Sequence, residues 1–307
     1  MKNKLENFAY QIGFDKIGFV KIQDVEEEYK FYLKNLENWI ENGFNNGMNY
    51  FLRNKEKREN PKILLENAKS IIVFAKKYHS NIKYTNKIKI AKYALAEEYH
   101  TLIKELLGKY DKFLSNEFNA KSKIFVDSGP IMEKVWAIFA GIGWFGKNGL
   151  ILNEDLGSFF NLGILLTDLE LETSKKKENK CNNCNICVES CPTSAIISPH
   201  KIDANKCISN HTIENREEKT EEINKKIKQT GYIFGCDVCQ NVCPFNQKII
   251  KNESEKNFNI LKYLNLNKIE DIFDLTESDF NNLLINPEIK RTKYKNFLQN
   301  IKTVLKE

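Results

Sequence analysis

The spacing of apolar positions divides the first half of the chain into helices and strands. LENFAYQIGF reads as a helix and KIGFVKI as a strand. EYKFYLKNLENWIENGF carries its apolar residues at helical spacing, and SIIVFAKKY is a buried strand. AEEYHTLIKELLGKYDKFLSNEF is a long amphipathic helix, and SKIFVD is a strand. SGPIMEKVWAIFAGI turns into a helix with Pro130 near its first position. NGLILN and SFFNLGILLTDLEL supply further strands. The alternation is imperfect, which points to an α+β sheet domain up to about Glu172. ETSKKKENK then reads as a charged linker. A cysteine-rich module follows up to Gln247, with the charged, partly helical insertion NREEKTEEINKKIKQ inside it. From Lys248 to Glu307 the pattern is that of short helices, in TESDFNNLLI and YKNFLQNIKTVL. The expected division is therefore 1–172, 173–247 and 248–307.

Composition narrows the class. Of 307 residues, 41% are hydrophobic, enough for a sizeable core. MKNKLENFAYQIGF holds no long apolar run, so neither a signal peptide nor a twin-arginine signal is read. VWAIFAGIGWFG, the longest nearly apolar run, is too short to span a bilayer. A soluble cytoplasmic protein is expected, whose thiols stay reduced unless a metal holds them. The net charge of +6 is concentrated in RNKEKRENPK, in KKYHSNIKYTNKIKIAK and in the C-terminal EIKRTKYKNFLQNIKTVLKE. Such runs are usually solvated surface. They also suit a surface that meets phosphates.

The cysteines carry the sharpest signal. All eight lie in CNNCNICVESCP, in GCDVCQNVCP and at Cys207. The first run is C-x2-C-x2-C-x3-C-P, a spacing in which three thiolates wrap one cubane cluster and the fourth serves a second. The second run lacks its first cysteine, and Cys207 is the obvious replacement. The pairing closes with Cys181, Cys184, Cys187 and Cys243 on one [4Fe–4S] cluster, and Cys191, Cys207, Cys236 and Cys239 on the other. Zinc sites rarely need this spacing, and disulfides do not suit a cytosolic chain. Two clusters form an electron relay. The long segment before them implies a redox enzyme with a second cofactor or substrate there.

No G-x-G-x-x-G follows a strand, so a Rossmann nucleotide site is not supported. Asp127, at the end of KIFVD, reads either as a helix N-cap or as a carboxyl group facing a cleft, able to deliver a proton. The glycines of GIGWFG either let a helix end approach a strand or let backbone approach a flat ligand, with Lys147 and Asn148 as polar contacts.

At this point the chain resembles the epoxyqueuosine reductases, cobalamin-dependent enzymes of the last step of queuosine synthesis in tRNA. VDSGPIMEKVWAIFAGIGWFGKNGLILNEDLGSFFNLGILLTDLEL, CNNCNICVESCPTSAI, CISNHTIE, GYIFGCDVCQNVCPFN and INPEIKRTKYKNFLQNI carry the resemblance. GMNYFLRNKEKRENP and AKYALAEEYH match more weakly. The resemblance implies a cobalamin-binding sheet domain distantly like nitroreductases, a bacterial-ferredoxin module with two [4Fe–4S] clusters, and a short helical tail. It also implies reduction of epoxyqueuosine at the wobble position of tRNA, with Asp127 as proton donor and its pKa raised beside an apolar corrin. The implied cobalamin contacts are Arg58, Tyr99, His100, Asp127, Lys147, Asn148, Gly149, Ile151, Ser158 and Leu162.

The sequence departs from the family pattern in places. The family's ARGRDYH-like stretch reads ALAEEYH. Many members continue into HEAT-like repeats, whose tRNA contacts are expected to be missing here. D-x-H-x-x-G is absent, so cobalamin is expected with its own base off and no protein His on cobalt. Lys290, Arg291, Lys293 and Lys295 are the expected tRNA contacts. A monomer served by an external electron donor completes the reading. The alternatives are a cytosolic reductive dehalogenase-like enzyme and a plain electron-transfer iron–sulfur protein.

Overall fold

The computed structural model describes residues 1–95, 99–127, 129–283 and 287–305. They form two compact units. The first comprises Met1–Asn42, Asn49–Tyr78 and Tyr99–Cys184; the second comprises Gly43–Met48, His79–Glu98 and Asn185–Glu307. Helices and sheets are mixed in both, which is the α+β class expected.

In the first unit, β1 (Lys16–Lys21), β2 (Ser70–Lys77), β3 (Ser122–Phe125) and β4 (Phe160–Thr167) form an antiparallel sheet in the order β1–β2–β4–β3. The helices that cover it are α1 (Lys2–Ile12), α2 (Glu26–Glu41), α3 (Tyr99–Phe118) and α4 (Glu133–Phe139). Strand side chains alternate between faces. Ile71, Val73 and Ala75 of β2 pack with Tyr29, Trp136 and Phe139. Ile72 and Phe74 pack with Leu5, Ala9, Leu107 and Tyr110. Two covered faces explain why β2 reads as an unbroken apolar run.

The structure corrects several local readings. Pro130 lies three residues ahead of α4, with tight turns between: Ile131 N donates to Gly129 O (2.8 Å) and Glu133 N to Ile131 O (3.0 Å). Met132 occupies the N-cap position and makes no side-chain cap bond. Asp127 is therefore not a cap for this helix. The start of the long helix at Ala96–Glu98 lies outside the described residues, as do Leu284–Asn286 and the last two residues of the tail. NGLILN contributes only Ile151–Leu152, paired with Trp144–Phe145. The charged stretch after Glu172 runs along the outer edge of β1. Ser174 N donates to Phe19 O (2.8 Å), Phe19 N to Ser174 Oγ (3.0 Å) and Lys21 N to Thr173 Oγ1 (3.0 Å). An edge strand leaves main-chain groups unpaired, and hydroxyl side chains satisfy them here.

Two glycines of AGIGWFG serve the fold itself. Gly141 has φ 69°, and a Cβ there would meet Lys175 O at 2.3 Å. At Gly143 a Cβ would sit 2.0 Å from Leu152 O. Gly143→Ala is expected to destabilise the first unit by ~1–3 kcal/mol, the usual scale of overpacking, seen as a lower urea midpoint at unchanged slope.

In the second unit, Tyr232–Phe234 pairs in parallel with Lys89–Ile90, and Lys256–Phe258 with Ile82–Tyr84. The helices used below are α5 (Ile208–Ile213), α6 (Glu221–Thr230) and α7 (Tyr294–Leu305). The charged insertion forms α6. Thr220 Oγ1 caps it from Ile223 N (3.3 Å), Gly231 ends it at φ 79°, and only Ile223 and Ile227 are buried. The C-terminal helix is part of this core. Phe297, Ile301 and Val304 pack with Ile88, Ile90 and Phe234. Buried Asn300 Nδ2 donates to Thr212 O (3.1 Å) and Ile233 O (2.9 Å), tying α7 to α5 and the strand. Among the described residues no helix is long and apolar enough to cross a membrane.

Candidate functional site

Asp127 follows β3 with φ 56°, in the left-handed region. Its backbone N donates to Glu133 Oε1 (2.6 Å). Its Oδ2 lies 3.2 Å from His100 Nε2, an ion pair when the imidazole is protonated. His100 is in the first turn of α3, and Tyr99 stacks on it with ring centroids 4.1 Å apart. The Asp127 side chain is 50% exposed, so protein burial alone does not hold it away from water. The neighbouring carboxyl belongs to half-buried Glu133. Burial, then the charge of Asp127, pushes it up to about 8, against the Asp127 N–H, His100 and Lys134. Glu133 was passed over in the sequence, where its only signal is its place six residues after Asp127 in DSGPIMEK.

Lys134 Nζ donates to Gly149 O (3.0 Å), so the start of α4 also grips the turn after GIGWFG. Within that turn Gly149 N donates to Gly146 O (2.8 Å) and Gly146 N to Leu150 O (2.8 Å). Asn148 and Ile151 are buried and Lys147 is half-buried. The structure thus links His100, Tyr99, Asp127 and Gly149 through α4. Ser158 is buried just before β4, and Leu162 is half-buried opposite Ala75. Arg58 has its guanidinium committed to the main chain: Nη1 donates to Phe51 O (3.0 Å) and Nη2 to Arg53 O (3.1 Å). These residues suit a flat apolar macrocycle with amide arms. The turn offers main-chain groups, Tyr99, His100 and Leu162 offer apolar surface, and Asp127 offers an acid.

The thiols divide between the units. Cys181 and Cys184 belong to the first and the other six to the second. Burial pushes the Cys207 thiol up, and neighbouring Cys191 adds to it. Burial likewise raises Cys236, with Cys207 and Cys239 adding, and Cys239, with Cys207 and Cys191 adding. Cys191, Cys207, Cys236 and Cys239 are therefore neighbours, and Cys187 also acts on Cys239. Main-chain N–H groups lie near several of the sulfurs. Ala195 N donates to Cys191 Sγ (3.3 Å), and the nearby N–H groups of Ser209 and Asn210 at Cys207 and of Val238 at Cys236 oppose the rise of those thiols. Such bonds stabilise thiolate charge in clusters.

Of the basic tail, Arg291 is committed to Glu214, and its carbonyl accepts from Arg216. Lys290 is half-buried, and Lys293 is exposed at φ 65°. Lys295 lines a groove of about 890 Å³ between α6 and α7, with Arg216, Lys225, Lys228 and Lys302 as further cations and Glu217 and Glu218 as acids.

Residues 180–246 match the family model described as 4Fe-4S double cluster binding domain, and residues 58–128 the one described as Epoxyqueuosine reductase QueG, DUF1730. A double-cluster domain in one chain with an acid-bearing sheet unit defines an iron–sulfur oxidoreductase. Over 304 residues the chain is 38% identical to the epoxyqueuosine reductase of Cyclobacterium marinum, covering 97% of this chain and 95% of that one. The Prochlorococcus marinus epoxyqueuosine reductase is 34% identical over 309 residues, at 100% and 98% coverage. The chain belongs to the epoxyqueuosine reductase family. Among solved structures, the Streptococcus thermophilus epoxyqueuosine reductase aligns at TM-score 0.81 and 28% identity, over 99% of this chain and 80% of that one. An epoxyqueuosine reductase with a tRNA-Tyr epoxyqueuosine-modified stem loop aligns at 0.76 and 26%, over 98% and 81%.

Proposed function

We propose that this oxidoreductase reduces epoxyqueuosine to queuosine at the wobble position of tRNA, with Asp127 as proton donor. The observation that carries the reading is the placement of Asp127. It stands at a strand end, half exposed, in the left-handed backbone region and beside an imidazole. Removing an epoxide oxygen as water consumes two electrons and two protons. Cobalamin and two [4Fe–4S] clusters, when bound, would supply the electrons.

The chain's own residues manage the protons and the fit. Asp127 delivers a proton to the leaving oxygen. His100, 3.2 Å away, restores it from solvent. Tyr99, His100, Lys147, Asn148, Gly149, Ile151, Ser158 and Leu162 would seat the macrocycle. Arg58 would act by holding the 51–53 segment. Cys181, Cys184, Cys187 and Cys243 would hold one cluster, and Cys191, Cys207, Cys236 and Cys239 the other. Residues 1–172 would be the catalytic part and 173–247 the relay, in a cytoplasmic enzyme fed by an external donor.

The test is anaerobic reconstitution followed by single-turnover conversion of epoxyqueuosine-containing tRNA and nucleoside analysis. The expected holoprotein carries one cobalt and about eight iron atoms. A preparation that holds both clusters and excludes cobalamin would return the chain to plain electron transfer.

The substrate's charge is tested separately. Each phosphate contact steepens the dependence of binding on salt. Because Arg291 is ion-paired and Lys290 half-buried, the groove lysines are the better probe of phosphate contact. Changing Lys225, Lys228, Lys295 and Lys302 together to Gln is expected to flatten the log–log salt slope by about 0.7–0.9 per lost contact. An unchanged slope would make the groove ordinary solvated surface.

A further inference from the structure

The geometry points to Glu133 as the positioning residue that holds the Asp127 loop in its working conformation. This rests on the reading of Asp127 as the acid. Asp127 has φ 56°, in the left-handed region that few non-glycine residues other than Asp and Asn adopt readily. One main-chain bond there runs from Asp127 N to Glu133 Oε1, at 2.6 Å. Glu133 can act as a fixed point because it opens α4, whose Val135, Trp136 and Phe139 are locked into the core. The next residue, Lys134, uses the same helix end to hold Gly149 O at 3.0 Å. One rigid helical turn therefore grips both loops of the candidate site.

The groups that face the Glu133 carboxyl are Asp127, which pushes its pKa up, and His100 and Lys134, which oppose that. Charged or neutral, the carboxyl keeps an oxygen that accepts the Asp127 N–H. A Gln side chain keeps the same oxygen, and Ala keeps none. Without the acceptor, the turn at Asp127 loses one main-chain restraint and its carboxyl is aimed less firmly, although Asp127 and its contact with His100 remain.

The experiment compares the full-length wild type with Glu133→Ala and Glu133→Gln. Amide hydrogen exchange is resolved at Asp127 by fragmentation, and single-turnover conversion is measured on the reconstituted enzymes. Losing a hydrogen bond to a carboxyl group is expected to speed exchange at Asp127 roughly 10- to 100-fold in Glu133→Ala. The amides of β2 should stay protected, which shows that the fold survives. The conversion rate should fall by a similar factor, and Glu133→Gln should restore both readings. Wild-type protection at Asp127 in Glu133→Ala would overturn the proposal. So would a Glu133→Gln variant that exchanges as fast as the Ala variant. Faster exchange with an undiminished conversion rate would remove Glu133 from the reaction. The exchange reading needs neither substrate nor cofactor, so it stands or falls apart from the role of Asp127, which Asp127→Asn tests.

Discussion

Asp127→Asn is expected to fold, bind cobalamin, both clusters and tRNA, and lose single-turnover conversion by about 10²- to 10⁴-fold, the range for general acid–base groups. The structure sharpens this expectation. Had Asp127 been the cap of α4, Asn would have replaced it at almost no cost. Met132 holds that position instead, so the cap no longer explains the aspartate. Asn tolerates the left-handed backbone at φ 56° as well as Asp does, and the N–H bond to Glu133 is unchanged. The side chain loses its charge beside His100, but it is half exposed, where such pairs contribute little to stability. Conformation and shape are thus kept while the acidic proton is removed. Near-normal queuosine formation by this variant would leave the proton source elsewhere, with His100 as the nearest substitute.

Cys207→Ala is expected to lose about half the iron, from about eight atoms to about four, and to abolish turnover. Cys207 lies at the N-cap position of α5, where the nearby N–H groups of Ser209 and Asn210 oppose the rise of its thiol. Its thiol is raised by burial and by Cys191, and it raises Cys236 and Cys239 in turn. Removing it leaves three thiolates, one short of a complete set. Electron paramagnetic resonance of the reduced variant should show one remaining [4Fe–4S] signal instead of a coupled pair. A variant with full iron content would exclude Cys207 from the scheme and require another fourth ligand.

The sequence by itself determined the elements whose cause is local. Apolar spacing marks α2, the body of α3, β2 and β4, because each covers its own face or faces with its own residues. The cysteine spacing of Cys181 to Cys191 is likewise local, since short gaps force the thiols around a common centre. Only the tertiary structure decided what depends on partners distant in the chain. It set α5 so that Cys207 meets Cys236 and Cys239, and it ran Thr173 and Ser174 along the edge of β1. It also joined His79–Glu98 to the second unit through parallel pairings with the 232–234 and 256–258 strands. The Asp127 site is of the second kind. Its aspartate could be read from a strand end, but His100 comes from another helix and Glu133 from the far side of a tight turn. No periodicity encodes such contacts. They arise because a rigid core fixes the start of α4, and the main chain between Asp127 and Glu133 must then satisfy its hydrogen bonds within reach of it.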